Sequence, residues 1–302
     1  ELTTIGITGT KGKTTTTHMI RAILLAAGKK VGMIGTTGTV IGYVVTPTLN
    51  TTPESYELHQ AFAQMVEAGC EYAVMEVSSQ GIKMHRTDGL YFNYAIFTNI
   101  SPDHIGPGEH ADFEEYLYYK TRLLNMCGIG LVNKDDEHAP QIIKAANCEL
   151  YTYSEESKEA DFVASDIRYV SQPDFVGTEF HISGKYDMEV RLGIPGLFNV
   201  VNALAAVSVC SFLGLDQARI SHALENIRVN GRMEIVYTSE RCTVLVDYAH
   251  NAVSMESLLS TLRDYKPKRL VCVFGCGGNR SKDRRYSMGE IGGKMADLSI
   301  IT

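Results

Sequence analysis

Short apolar runs rich in β-branched residues alternate along the chain with segments whose apolar positions recur at helical spacing. Residues 2–8 predict a buried strand, 13–27 a helix closed by Gly28, and 31–35 a second strand. A helix is expected at 55–68, strands at 72–77 and 94–98, a helix at 112–126 and a strand at 129–133. Strands that are apolar on both faces and separated by helices predict an α/β fold built on a doubly wound, mostly parallel sheet. The pattern changes over 160–192, where short segments such as 178–183 and 187–192 alternate polar and apolar residues, so a small antiparallel subsheet is expected there. Helices at 199–213 and 216–226 follow. Beyond Gly231 the alternation restarts, with strands at 244–247, 270–274 and 298–301 and helices at 254–265 and 288–295. Two domains are expected, 1–231 and 232–302.

Composition narrows the function classes. The chain is 44% hydrophobic and 21% charged, with 27 Gly and 8 Pro, which excludes a disordered, collagenous or coiled-coil protein. A formal net charge of −7 argues against nucleic-acid binding through bulk electrostatics, while leaving room for a local basic pocket. Apolar runs fall far short of the ~20 residues a membrane helix needs, and no secretory signal is present. Seven Cys, without paired Cys-x-x-Cys motifs, read as reduced thiols of a cytoplasmic protein; Cys272 and Cys276 suit a tight turn better than a redox or metal role.

The richest chemistry lies in Gly6-Ile-Thr-Gly-Thr-Lys-Gly-Lys-Thr-Thr15, which joins the first strand to the first helix. Glycines let such a loop turn tightly, so that N–H groups and the helix N-terminus face a phosphate. The candidate nucleotide contacts are Gly9, Thr10, Lys11, Gly12, Lys13, Thr14 and Thr15, with Lys13 toward the outer phosphates and the Thr14 hydroxyl on Mg²⁺. The spacing is not that of the common P-loop, because Ile7 stands where that pattern wants glycine. Glu76, at the carboxyl edge of its strand, is placed to hold Mg²⁺ opposite Thr14. Lys120 is unusual in a different way. Asp112 and Glu115 predict a capping box, and Phe113, Tyr116, Leu117, Leu123 and Leu124 then share one helix face with Lys120. A charged amine on a buried stripe must be paired or neutralised, or else snorkel to water.

The shortened loop resembles that of the Mur ligase family. Further motifs follow in order: Asn50-Thr-Thr-Pro53, Met75-Glu-Val-Ser-Ser79, Phe97-Thr-Asn99, Asp103-His104, Phe198-Asn199 with Asn202, Gly231-Arg-Met-Glu234, Asp247-Tyr-Ala-His250 and Phe274-Gly-Cys-Gly-Gly278. Together they resemble the UDP-N-acetylmuramoyl-tripeptide synthetase (MurE-type) branch over nearly the whole chain.

The resemblance implies a central ATP-binding domain, with its P-loop sheet, followed by the start of a Rossmann-like ligase domain. It implies an ATP-dependent ligase that adds a diamino acid to UDP-N-acetylmuramoyl-L-alanyl-D-glutamate through an acyl phosphate, in the cytoplasm and as a monomer. ATP and two Mg²⁺ are the expected cofactors, with Thr14, Glu76, His104 and a carbamylated Lys120 as metal ligands and Lys13, Lys120 and His104 as catalytic residues. Asn199 and Asn202 would serve the adenine side, and Arg232 and Asp247 would approach from the domain junction; Asn199 as a helix cap and Arg232 as a linker ion pair are the plainer alternatives. Thr51, Thr52, Ser78 and Arg86 would hold the UDP-sugar-peptide, and Arg285 the incoming amino acid. Gln80, Met84 and the segment after His104 depart from the family pattern. Folylpolyglutamate-synthetase-like activity, or a non-catalytic nucleotide-binding paralogue, remain the rival readings. The family places a UDP-anchoring domain before the phosphate loop and a specificity motif beyond Thr302, so the 302 residues are expected to be part of a longer protein and catalytically silent alone.

Overall fold

The computed structural model describes residues 2–276 and 282–302. The first unit opens with β1 (Thr3–Thr8), α1 (Lys13–Ala26), β2 (Val31–Gly35), β3 (Gly38–Ile41), β4 (Val44–Thr46), α2 (Ser55–Glu67), β5 (Tyr72–Glu76), α3 (Ser79–Lys83) and β6 (Phe92–Phe97). It continues through α4 (Phe113–Thr121), β7 (Cys127–Asn133), α5 (Ala139–Ala145), β8 (Glu149–Ser154), β9 (Phe162–Gln172), β10 (Phe175–Gly184), β11 (Met188–Leu192), α6 (Leu197–Phe212) and α7 (Gln217–Glu225). Then come β12 (Glu234–Thr238), β13 (Thr243–Val246), α8 (Ala252–Asp264), β14 (Val271–Phe274), α9 (Lys282–Met295) and β15 (Leu298–Ile301).

Among the described residues, eleven strands form one sheet in the order β11-β10-β9-β8-β7-β6-β1-β5-β2-β3-β4. Its centre, β2 through β9, is parallel. Successive residues of the central strands face opposite layers: Val74 and Ile96 pack with Met19, Ile20, Ile23 and the apolar α6, whereas Ala73, Met75, Ala95 and Phe97 pack with Leu58, Met65, Leu117 and Leu124. That two-sided burial explains why these strands read as unbroken apolar runs. Each fully buried Ile or Met stabilises the fold by about 1.5–3 kcal/mol. A smaller core of Met255, Leu259, Leu270 and Met288 closes β14 and β15 against α8 and α9.

Three details differ from the sequence expectation. The antiparallel strands over 160–192 join the main sheet: β9 lies parallel to β8, and β10 and β11 extend it. The β3–β4 hairpin, turning at Gly42 with φ +61°, adds an exposed edge at the other side. The helix expected to reach 126 ends at Thr121, where the Thr121 hydroxyl bonds back to the Leu117 carbonyl and a 3₁₀ turn, Arg122–Asn125, takes over.

Candidate active site

The loop after β1 lies between the carboxyl ends of β5 and β6, because Ile7 is in register with Glu76 and Thr8 with Phe97. Gly12 is the N-cap of α1 and supplies no side-chain acceptor, so first-turn N–H groups point at the loop's hollow. Two glycines are required by geometry. Gly9 has φ +145° and a Cβ there would stand 1.9 Å from Thr98 Oγ1; Gly12 has φ +85° and its Cβ would stand 2.3 Å from Asn202 Oδ1. The loop is gripped from β6: Asn99 takes the Thr10 and Lys11 amides on its carbonyl and Oδ1, and donates to the Lys11 carbonyl.

Two lysine side chains converge on one carbonyl. Lys13 donates to the Gly9 oxygen at 2.8 Å and to the Thr10 oxygen at 3.1 Å, while Lys120 donates to the Gly9 oxygen at 2.7 Å. Lys120 is 2% exposed, so it does not snorkel to water. Burial, reinforced by Lys13, pulls its amine well below the ordinary lysine value, and burial likewise lowers Lys13. The amine sits 4.6 Å from the centre of the Tyr116 ring, whose hydroxyl meets Thr10 Oγ1 at 3.1 Å.

On the opposite flank the Glu76 carboxylate is buried and held by oxygen and nitrogen donors. Thr14 Oγ1 donates at 3.0 Å, the Thr36 amide at 2.9 Å and Thr36 Oγ1 at 3.2 Å. Thr36 in turn meets the Thr51 hydroxyl at 3.1 Å, which links the phosphate loop to the 50s segment. A carboxylate and a hydroxyl brought together at the helix start are hard oxygen donors, the set a Mg²⁺ ion takes, so this flank fits the expected metal. The His104 flank is different. His104 has φ +53°, is exposed, and pairs with Glu109 at 3.0 Å. Among the described residues no three His, Cys, Asp or Glu side chains gather to hold a metal, and His104 and Lys120 both lie beside the Tyr116 ring, at 6.1 Å between ring centres and 4.6 Å from the amine.

The expected substrate residues form a tight knot. Buried Thr52 donates to the Glu76 carbonyl and accepts from the Ser78 amide at 2.9 Å and hydroxyl at 3.1 Å, while Ser78 caps α3 by accepting from the Gly81 amide. Arg86 donates to the Thr52 carbonyl and pairs with Glu54 at 2.7 Å. Met84 is exposed, and Gln80 Nε2 is buried without a hydrogen-bond partner.

The residues expected on the adenine side are buried under the loop. Asn202 backs Gly12 and accepts from Thr16 Oγ1, and it donates to Asn199 Oδ1; Asn199 donates to the Pro195 carbonyl, and Gly196, not Asn199, caps α6. Arg232 stacks on the Tyr248 ring at 4.9 Å, and Asp247 accepts from the Met233 amide at 2.9 Å, fixing the junction where Met233 takes φ +48°. Arg285 is exposed on α9; Gly277 and Gly278 of the last motif lie outside the described residues.

Sequence reasoning missed Thr36, Tyr116 and His110. His110 is fully buried, its Nε2 meeting Ser79 Oγ at 2.9 Å and its ring 5.2 Å from Tyr116; burial lowers its pKa. Thr36 follows the β2 apolar run directly, and its position at a carboxyl strand edge was the available signal.

A glycine-bounded phosphate loop at the centre of a doubly wound sheet, with a hydroxyl and a carboxylate at the helix start, defines the P-loop class of α/β proteins. Sequence profiles specify it further: the Mur ligase middle domain matches residues 7–210 and the Mur ligase glutamate ligase domain residues 231–302. The chain belongs to the Mur ligase family. It is similar to the UDP-N-acetylmuramoyl-L-alanyl-D-glutamate--2,6-diaminopimelate ligase of Caldanaerobacter subterraneus subsp. tengcongensis, 39% identical across all of this chain and 62% of that protein. The ligase of the same name from Clostridium perfringens is 38% identical with the same coverage. A solved structure bearing that ligase name superposes with a TM-score of 0.82 at 30% identity, over 99% of this chain and 61% of the other. A folylpolyglutamate synthase from Thermotoga maritima shares the fold alone, at 18% identity and TM-score 0.75. The chain spans about 62% of the length of the curated relatives it matches.

Proposed function

We propose that the protein is the ATP-dependent ligase, or the part of it, that joins a diamino acid to UDP-N-acetylmuramoyl-L-alanyl-D-glutamate in peptidoglycan synthesis. The observation that carries this reading is the Gly9 carbonyl flanked by Lys13 and Lys120, with the Thr14–Glu76 pair beside it. The loop N–H groups and Lys13 bind and orient the triphosphate of ATP, so that the substrate carboxylate attacks the terminal phosphorus and an acyl phosphate forms as ADP leaves. The amino acid's amine then attacks the acyl carbon, and phosphate departs. Mg²⁺, held by Thr14 and Glu76, supplies charge neutralisation at the phosphates.

Lys120 deepens the site. Burial lowers the Lys120 pKa and so favours the neutral amine that reacts with CO₂; the carbamate formed would be a carboxylate able to hold a second Mg²⁺ together with His104. In this reading the 1–231 unit carries the nucleotide machinery, Arg232 and Asp247 of the 232–302 unit approach the nucleotide, and Arg285 takes the incoming amino acid, in a cytoplasmic monomer. No helix among the described residues is long and apolar enough to cross a membrane.

The test is ADP release by the full-length gene product supplied with ATP, Mg²⁺, the UDP-sugar dipeptide and either diaminopimelate or lysine. Turnover dependent on both co-substrates, lost in Lys120→Ala and partly restored by acetate, is the expected result. Turnover with a folate in place of the UDP-sugar dipeptide, or none with any acceptor, would overturn the reading.

A further inference from the structure

Away from the phosphate loop, Cys127 and Cys148 stand side by side. Cys127 opens β7 immediately after the 3₁₀ turn and is buried in the layer of Leu123, Leu124 and Ile142, while half-buried Cys148 packs against that same layer one residue before β8. The strands run parallel with Ile129 opposite Glu149 and Gly130 opposite Leu150, which places the two cysteines on neighbouring strand ends. That register continues to Gly128 beside Cys148, so Cys127 stands one residue off; the diagonal between strands ~4.8 Å apart is roughly 6 Å, within the Cα separation a disulfide bridges. The Cys127 thiol donates to the Leu124 carbonyl at 3.7 Å, on the side of the sheet that Cys148 also packs against. Room for that sulfur depends on Gly130, since a Cβ there would stand 2.8 Å from Cys148 Sγ.

We propose that Cys127 and Cys148 form an oxidisable dithiol, a modification site that takes hydrogen peroxide and closes to a disulfide across β7 and β8. The inference does not depend on the ligase reading. Roles follow from exposure and hydrogen bonding. Cys148 is half-buried and reaches solvent, so it is the attacking sulfur; Cys127, buried with its thiol on the Leu124 carbonyl, resolves the product. The Cys148 sulfur attacks one peroxide oxygen, the O–O bond breaks, and the departing hydroxide takes up a proton to leave as water. The Cys127 sulfur, giving up its proton, then attacks the sulfenic sulfur, the S–O bond breaks, and a second water leaves. Two thiols and one peroxide thus give one disulfide and two waters, the two sulfurs losing two electrons in total.

The test uses the intact chain treated with one equivalent of hydrogen peroxide. Intact mass should fall by about 2 Da, a tryptic digest should yield the Cys127 and Cys148 peptides joined, and a dithiol reductant should restore both. Cys148→Ser should give no link and leave Cys127 reduced. Cys127→Ala should leave a Cys148 sulfenic acid that a dimedone probe captures, a readout independent of whether the link itself perturbs the fold. Two outcomes would overturn the proposal: wild-type Cys148 gaining oxygen with no link to Cys127, or Cys148 linking instead to exposed Cys242 or another cysteine.

Discussion

The Glu76 flank of the phosphate loop and the His104 flank are built in opposite ways. Glu76 is 1% exposed and takes donors from α1 and from the turn after β2, so its position is fixed by three elements at once. His104 lies on an extended surface segment and leans on Glu109, five residues along the same segment. A buried carboxylate without its donors would cost several kcal/mol, which forces the surroundings to be complete; an exposed imidazole imposes no such demand. The difference teaches that the fold itself preorganises one half of the site, and leaves the other half to local sequence.

The strongest way to break that comparison is Glu76→Ala. It leaves the buried Thr14 hydroxyl without its acceptor and removes the partner of the Thr36 amide, and should destabilise the protein by on the order of 1–3 kcal/mol, read as a lower urea midpoint at unchanged slope. Little change would mean that the carboxylate is not the keystone described here. Next in size, Lys13→Ala should weaken ATP binding about a hundredfold in calorimetric titration, with the circular dichroism spectrum unaltered, because its acceptors are loop carbonyls and not a core. Unchanged affinity would remove the loop from the nucleotide site.

A pH series sharpens the buried side further. Lys120 binds its proton less tightly folded than unfolded, so the unfolded state holds more protons between the depressed folded value and the ordinary 10.5. Stability contributed at this position should therefore rise with pH through that window, by at most ~1.4 kcal/mol per pH unit, and level off above it. The wild-type stability minus that of Lys120→Met, measured in CO₂-free buffer, should carry this slope; a flat difference would show an amine that is not desolvated. The smallest effect belongs to His104→Ala, expected within about 0.5 kcal/mol of wild type. A loss approaching that of Glu76→Ala would show that the two flanks are built alike after all.

Much of this was legible in the residues. The unbroken apolar strands, the glycine loop and the lysine on an apolar stripe each carry their signal in a short window, and the strand at 31–35 and the one at 298–301 emerged with the expected bounds. Capping was nearly so: Asp112 accepts the Glu115 amide, but Glu115 returns its bond to Ala111, one residue earlier than in the expected box. What escaped was non-local. Thr36 becomes a ligand to Glu76 only because β2 and β5 pair, and His110 meets Ser79 only because α3 and α4 pack, relations that no spacing in the sequence encodes. Parallel β8 and β9 escaped too, because half-exposed strands mix polar and apolar residues without a clean period.

The two loop glycines also say how this sequence can change over evolutionary time. Gly12 is closed off by Asn202 and Gly9 by Thr98, each partner arriving from a distant part of the chain, and each glycine also holds a backbone angle that side chains avoid. A smaller residue at 202 would relieve the collision at Gly12 yet leave its left-handed backbone untouched, so no single compensating substitution opens the position. In a saturation library selected for folding, positions 9 and 12 should therefore return glycine even in backgrounds where Thr98 or Asn202 has already been trimmed.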